Sequence, residues 1–184
     1  IGLMVGSFLN VVIHRLPKMM DNAEKAYVAE AYGVKPDSAI PTKYNIVTPR
    51  SACPNCGHQI TALENIPIIS YMILGGKCKG CKTKISPRYP LIEALTGALI
   101  GAVAYKFGYS NTSLFAFIFV FALVTLTFID FDTQLLPDDI TLPLLWLGLL
   151  FNLNNGLTDL KSAVLGAVFG YLILWSVYWL FKIV

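Results

Sequence analysis

Three stretches of this chain contain no Asp, Glu, Lys or Arg: Phe107 to Ile129, Ile140 to Thr158 and Ser162 to Phe181. Each approaches or exceeds the roughly 20 residues with which an apolar helix crosses a bilayer. A fourth stretch, Tyr89 to Tyr105, is interrupted only by Glu93. Only 14% of the residues are charged and 55% are hydrophobic, with a mean hydropathy of +0.62, whereas about a quarter of a soluble domain is charged. The expected fold is an all-α polytopic membrane protein, a helical bundle.

The amino end reads IGLMVGSFLNVVI, 13 residues without charge, and then meets His14, Arg15 and Lys18. Thirteen residues are too few to span. A signal peptide needs its basic segment first and small residues after, and here the order is reversed with no initiator Met. Residues 1–13 are therefore expected to be the end of a first transmembrane helix. At the other end YLILWSVYWLFKIV stops without a polar tail. The expectation is a chain truncated at both ends.

Charge placement predicts the topology. Of 14 Lys and Arg, 11 lie between His14 and Pro90, and the positive-inside rule puts that segment in the cytoplasm. Alternation then gives helix two at about 89–106 running outward, helix three at about 110–131 returning, helix four at about 140–156 and helix five at about 162–182. Residues 91–184 hold these helices, and residues 14–90 form a cytoplasmic domain.

That domain carries all four cysteines, in CPNC (Cys53, Cys56) and CKGC (Cys78, Cys81), with 21 residues between the pairs. Two such knuckles supply the four thiolates that a tetrahedral zinc ion takes, and a closed four-cysteine site leaves no position for substrate. Structural zinc in a ribbon-like loop domain is the expectation. Turn-forming Pro54, Asn55, Lys79 and Gly80 lie inside the knuckles and Gly57 just after the first. Two disulfides are disfavoured in a reducing cytosol, a redox CxxC needs no duplicate, and an iron–sulfur cluster is the remaining alternative. His58 is expected to be solvated, and MMDNAEKAYVAEAYGVKPDS to be a charged, partly helical surface excursion.

The most informative stretch is FIDFDTQLLPDDI, residues 128–140. At 100° per residue Asp130 and Asp132 point about 200° apart, so one faces the bundle interior while the other does not. Pro137 disfavours helix at Leu136 and ends the element. Asp138 or Asp139 then caps helix four, with Pro143 tolerated in its first turn. Asp130 still lies within the apolar run, where a carboxylate costs up to about 2.5–3.5 kcal/mol at the bilayer centre and usually marks a functional site. From the residues alone it is a catalytic group, a proton or ion ligand, or a carboxylate that snorkels to the surface.

GSFLNVVIHRLPKMM (6–20), the paired knuckles, ENIPIISYMILGGKC (64–78), RYPLIE (88–93) and FIDFDTQLLPDDITLPLLWLGLL (128–150) together resemble the type IV prepilin peptidases, GxGD-type membrane aspartic proteases of bacterial inner membranes. The resemblance runs in order along almost the whole chain. It implies cleavage of the basic leader from type IV prepilins and type II secretion pseudopilins at the cytoplasmic face, followed by methylation of the new amino terminus from S-adenosylmethionine. It also implies two catalytic aspartates, the first mapping onto Asp130. The second belongs to a GxGD motif that these 184 residues do not contain; by the family pattern it is expected shortly beyond Val184.

The remaining features carry weaker readings. The GxxxG patterns at Gly97–Gly101 and Gly166–Gly170 point to close helix packing. Trp146, Trp175 and Trp179 read as packing or interface residues, and His14, Arg15 and Lys18 as a positive-inside anchor. Membrane lipid is an expected partner and nucleic acid is not. No glycine-rich dinucleotide or phosphate loop is present, and no residue is assigned to S-adenosylmethionine. The alternative from another class is a non-enzymatic membrane scaffold in which the zinc module docks a partner.

Overall fold

A computed structural model describes residues 1–33, 44–154 and 156–183. Residues 34–38 of the charged excursion, and Val184, lie outside them. In hydrocarbon every backbone N–H and C=O must find its partner within the segment, and the apolar runs accordingly form helices. Helix α1 is Gly2–Tyr32, α2 is Ile69–Ile73, α3 is Arg88–Phe107, α4 is Asn111–Thr133, α5 is Asp138–Asn152 and α6 is Leu160–Ile183. A single 3₁₀ turn, Leu63–Asn65, precedes α2. No strand is present among the described residues, only two isolated bridges, Ala52 with Gln59 and Lys77 with Lys84.

Three helices, Arg88–Phe107, Asn111–Thr133 and Leu160–Lys182, are long and apolar enough to cross a membrane. The fourth expected crossing is shorter. At about 1.5 Å per residue the 15 residues of α5 reach about 22 Å, against a hydrocarbon core of about 30 Å. The run was expected to continue to about 156. It stops at Asn152 because that buried side chain turns the chain, donating to Gly148 O at 2.9 Å and accepting from the Leu157 and Thr158 amides at 2.9 and 3.0 Å. No backbone break falls at residue 13 either. Helix α1 continues through Pro17 to Tyr32 and closes on Gly33 in the left-handed region, φ 64°.

Helix α1 lies antiparallel on α3 in register, Gly2 over Gly97 and Gly6 over Glu93, with Asn10 donating to Tyr89 O at 3.2 Å. The approach is close because small residues line it. A Cβ on Gly6 would lie 2.8 Å from Glu93 Cα, and one on Gly97 only 2.5 Å from Leu3 Cδ2. Of the expected GxxxG glycines only Gly97 is used in this way; Gly101, Gly166 and Gly170 face open space. Helix α4 completes a three-helix core of Leu9, Ile13, Ile92, Val124 and Ile129. Helix α5 packs on α4 and α6 on α5, and no residue of α6's apolar window is buried. Trp175 and Trp179 lie against each other on α6, centroids 5.9 Å apart, and Trp146 is 61% exposed.

Gly6→Ala should lower stability by about 1–3 kcal/mol, because the clash is with backbone and the helices must part. Gly101→Ala should be neutral or slightly stabilising, since alanine is the better helix former by about 1 kcal/mol. Thermal unfolding of the two variants in detergent micelles distinguishes these outcomes.

Candidate functional site

Each cysteine pair closes a tight turn by the same local pattern. Cys53 N donates to His58 O at 2.9 Å and Gly57 N to Cys53 O at 2.9 Å; Cys78 N donates to Thr83 O at 2.8 Å and Lys82 N to Cys78 O at 3.0 Å. The residue after the second cysteine is left-handed in both knuckles, Gly57 at φ 72° and Lys82 at φ 60°. Glycine adopts this conformation freely and lysine does not. The second knuckle therefore carries strain that the first lacks.

The knuckles meet sulfur to sulfur. Cys53 Sγ is 3.8 Å from Cys81 Sγ and Cys56 Sγ is 3.9 Å from Cys78 Sγ, with all four within 4.8 Å of one another. Four thiolates around zinc at about 2.3 Å form a tetrahedron with edges of about 3.8 Å, so the donor set fits a zinc ion in chemistry and spacing. Disulfides require sulfurs at about 2.05 Å, and none is formed. Thr83 Oγ1 at 3.2 Å and Asn55 Nδ2 at 3.5 Å draw the Cys81 thiol down to about 5, while contact with Cys81 helps push the Cys56 thiol up to about 11.

His58 stays outside the sulfur cluster and partly exposed, as expected of a non-ligand, but it is also paired. Its Nε2 lies 3.0 Å from Glu64 Oε2, and Glu64 Oε1 lies 3.3 Å from Lys79 Nζ inside the other knuckle. Glu64, on the 3₁₀ turn, thereby ties both knuckles together. The Thr61 amide above all, then His58 and Lys79, pull its carboxyl down to about 2. Arg15 is likewise more than a surface anchor. It is buried, and its guanidinium donates to Asn45 O at 3.0 Å, Ile46 O at 3.2 Å and Pro49 O at 2.6 Å, fixing the turn that leads into the first knuckle.

The second cluster sits where α4 ends beside the start of α3. Helix α4 stops at Gln134, left-handed at φ 55°, earlier than the break expected at Leu136. Asp132 forms a two-pronged pair with Arg88, 2.5 Å and 2.7 Å, and Arg88 Nη2 also donates to Phe128 O at 3.3 Å. The divergence of the two aspartates read from helical geometry is preserved. Asp130 is half-buried, and its carboxylate has no hydrogen-bond partner among the described residues. Anionic groups at a helix C-terminus oppose the macrodipole, and Arg88 answers that only for Asp132. Asp138 and Asp139 occupy the first turn of α5, but the N-cap is Pro137 and neither aspartate caps by side chain; Asp138 accepts from Thr141 instead.

The profile of the bacterial peptidase A24 N-terminal domain matches residues 1–107, and that of the type IV leader peptidase family matches residues 117–183. The chain belongs to the A24 type IV leader peptidase family. It is 53% identical over its full 184 residues to a prepilin leader peptidase/N-methyltransferase of Pseudomonas aeruginosa, covering 63% of that protein. It is 52% identical to the protein of the same name from Dichelobacter nodosus, covering 65% of it, and 51% identical to that from Neisseria gonorrhoeae, covering 64%. In each case it spans less than two thirds of the relative's length. No solved structure matches.

Within this A24 chain, the knuckles were legible from cysteine spacing, while Glu64 and Arg88 were not singled out. Lys79 lies 15 residues from Glu64 and Asp132 lies 44 from Arg88, outside any short motif. Protein purified without chelators should contain one zinc per chain; a ratio near zero by elemental analysis removes the metal assignment. Glu64→Gln should keep that ratio but release zinc to a chelator up to about ten-fold faster, since outer groups steady the ligands. Because the folded carboxyl titrates below its ordinary value, the stability gap between wild type and Glu64→Gln should be full above pH about 4.5 and close toward pH about 2, followed by chemical unfolding at each pH.

Proposed function

We propose that this chain carries one half of the catalytic dyad of a membrane aspartic peptidase, with Asp130 as the catalytic carboxylate. Its substrates are the prepilins and pseudopilins named for the family, cut at the cytoplasmic face of a bacterial inner membrane. The observation that carries the reading is the contrast between two neighbouring aspartates. Asp132 is neutralised by Arg88 at 2.5 and 2.7 Å, while the Asp130 carboxylate at the same helix end has no hydrogen-bond partner among the described residues. Relatives named prepilin leader peptidase/N-methyltransferase at about half identity support it.

The chemistry needs two such groups. Carboxylates a few ångströms apart do not both ionise, so the pair holds one proton. The ionised member takes a proton from the attacking water while the protonated member donates to the scissile carbonyl oxygen; the apparent titration belongs to the pair. Asp130 supplies one of these groups. The other, in the family's GxGD motif, is not among these 184 residues.

Residues 14–90 form the cytoplasmic module in this reading. Cys53, Cys56, Cys78 and Cys81 would hold a structural zinc that closes a loop with little apolar core of its own. The relatives' second activity makes S-adenosylmethionine the methyl donor, a proposal that rests on the family alone.

In the full-length protein, Asp130→Asn should abolish prepilin processing while membrane insertion and zinc content stay normal. Retained processing would transfer the role to Asp132. Asp132→Asn should instead retain processing and lose only the modest stability of a partly exposed ion pair, about 1 kcal/mol or less. A purified protein of these 184 residues alone should cleave no prepilin, and measurable cleavage would overturn the dyad reading.

A further inference from the structure

Between the two knuckles the chain makes an excursion toward the membrane helices. Ile68 has φ 61° and ψ −49°, and Ile69 N donates to Pro67 O at 2.6 Å, the geometry of the rarer, strained γ-turn. A β-branched residue holds such a conformation only where its surroundings impose it. Here the imposing group is Glu93, 7% exposed, whose Oε2 accepts the Ile68 amide at 2.7 Å.

Two contacts set the depth of this excursion. Glu93 lies five residues into α3 from Arg88, about 7.5 Å along the helix. On α1, Ser7 donates to Asn65 Oδ1 at 3.5 Å, and Ser7 precedes Arg15, whose guanidinium grips the 45–49 turn, by eight residues or about 12 Å. Both contacts place residues 65–68 inside the polar rim marked by Arg15 and Arg88, alongside the segment of α3 that enters the bilayer.

The side chains agree with that depth. In α2, Ile69, Met72 and Ile73 share one face at i, i+3 and i+4 and are 55%, 73% and 79% exposed. The opposite side holds Tyr71, whose hydroxyl donates to Ile85 O at 3.4 Å. At the start of α3, Tyr89 and Leu91 are also exposed apolar residues. Just beyond α2, Lys77 and Lys84 are exposed, with charge suited to anionic headgroups.

We propose that residues 66–73 form an interfacial membrane-dipping segment, seated at the headgroup–acyl boundary beside α3 and covered by lipid. An amphipathic element in that position buries its apolar face about 5–10 Å into the boundary. Buried Glu93 stabilises it by satisfying the one amide that the γ-turn turns toward the bundle. The segment thus holds the second knuckle, which starts at Cys78, against the membrane surface. The inference rests on α3 crossing the bilayer and is independent of the role of Asp130.

The test is collisional accessibility in the full-length protein, reconstituted into vesicles of phosphatidylethanolamine and phosphatidylglycerol. A nitroxide is attached through p-acetylphenylalanine at position 72 or 73, which leaves the four cysteines untouched. The expected result is collision with oxygen several-fold more frequent than with a water-soluble nickel chelate, and the reverse order at exposed Gln59 just after the first knuckle. Frequent nickel collisions at 72 and 73 would mean an aqueous loop. Low rates with both reagents would mean a protein partner, a second copy or the substrate helix. Either result overturns the proposal. Unaltered protein provides the second measurement: a photoactivatable phospholipid should leave adducts within residues 66–73, and adducts confined to α3, α4 and α6 would refute lipid contact there.

Discussion

The close approach of α1 and α3 governs what the rest of the chain can do. With no side chain at Gly2, Gly6 or Gly97 the two backbones come near enough to aim Asn10 and Glu93 across and along the interface. Glu93 then holds the excursion before α2, and Arg15 of α1 holds the turn before the first knuckle. The same helix α3 begins with Arg88, which grips the last turn of α4. One tightly packed helix pair therefore positions both the metal module and the carboxylate-bearing helix end. Dispersion and shape drive this pairing, since lipid is as apolar as the helix surfaces it would otherwise cover.

Polar groups in this fold are placed where they order something. Arg15 spends its donors on three carbonyls of one turn, Glu64 joins two knuckles, Asn152 ends α5, and Arg88 ties Asp132 to a backbone carbonyl. Each pairs polar groups whose burial without a partner would cost free energy. Asp130 stands apart from them. Its carbonyl accepts from Gln134, but its carboxylate has no hydrogen-bond partner among the described residues.

Much of the architecture was legible because the signals are local. Charge-free runs located α3, α4 and α6 to within a few residues, and two CxxC pairs specified a four-sulfur cluster. The misses share one physical cause, control by distant or side-chain contacts that leave no periodic trace. The charges that follow residue 13 do not interrupt α1, which carries on through Pro17 to Tyr32. Helix α5 was expected to reach 156, and one asparagine side chain ends it four residues earlier. Glu93 was visible as the only charge in an apolar run, but nothing nearby in sequence announced that its partner was the amide of Ile68, 25 residues back. Aspartate divergence was readable from the helical repeat; the guanidinium that neutralises one of the pair was not.

The two knuckles also carry a consequence for the order of assembly. Each is closed by hydrogen bonds spanning five residues, Cys53 to His58 and Cys78 to Thr83, and loops that short close within about 100 ns. The contact between Gly6 and Glu93 joins residues 87 positions apart, and such closures come later because more chain entropy must be surrendered first. Thiolate turns ready to capture metal are therefore present before the helices that will carry them have found each other. Closure of each cysteine turn is an early local event, and docking of the four-cysteine module onto the bundle waits for a longer search.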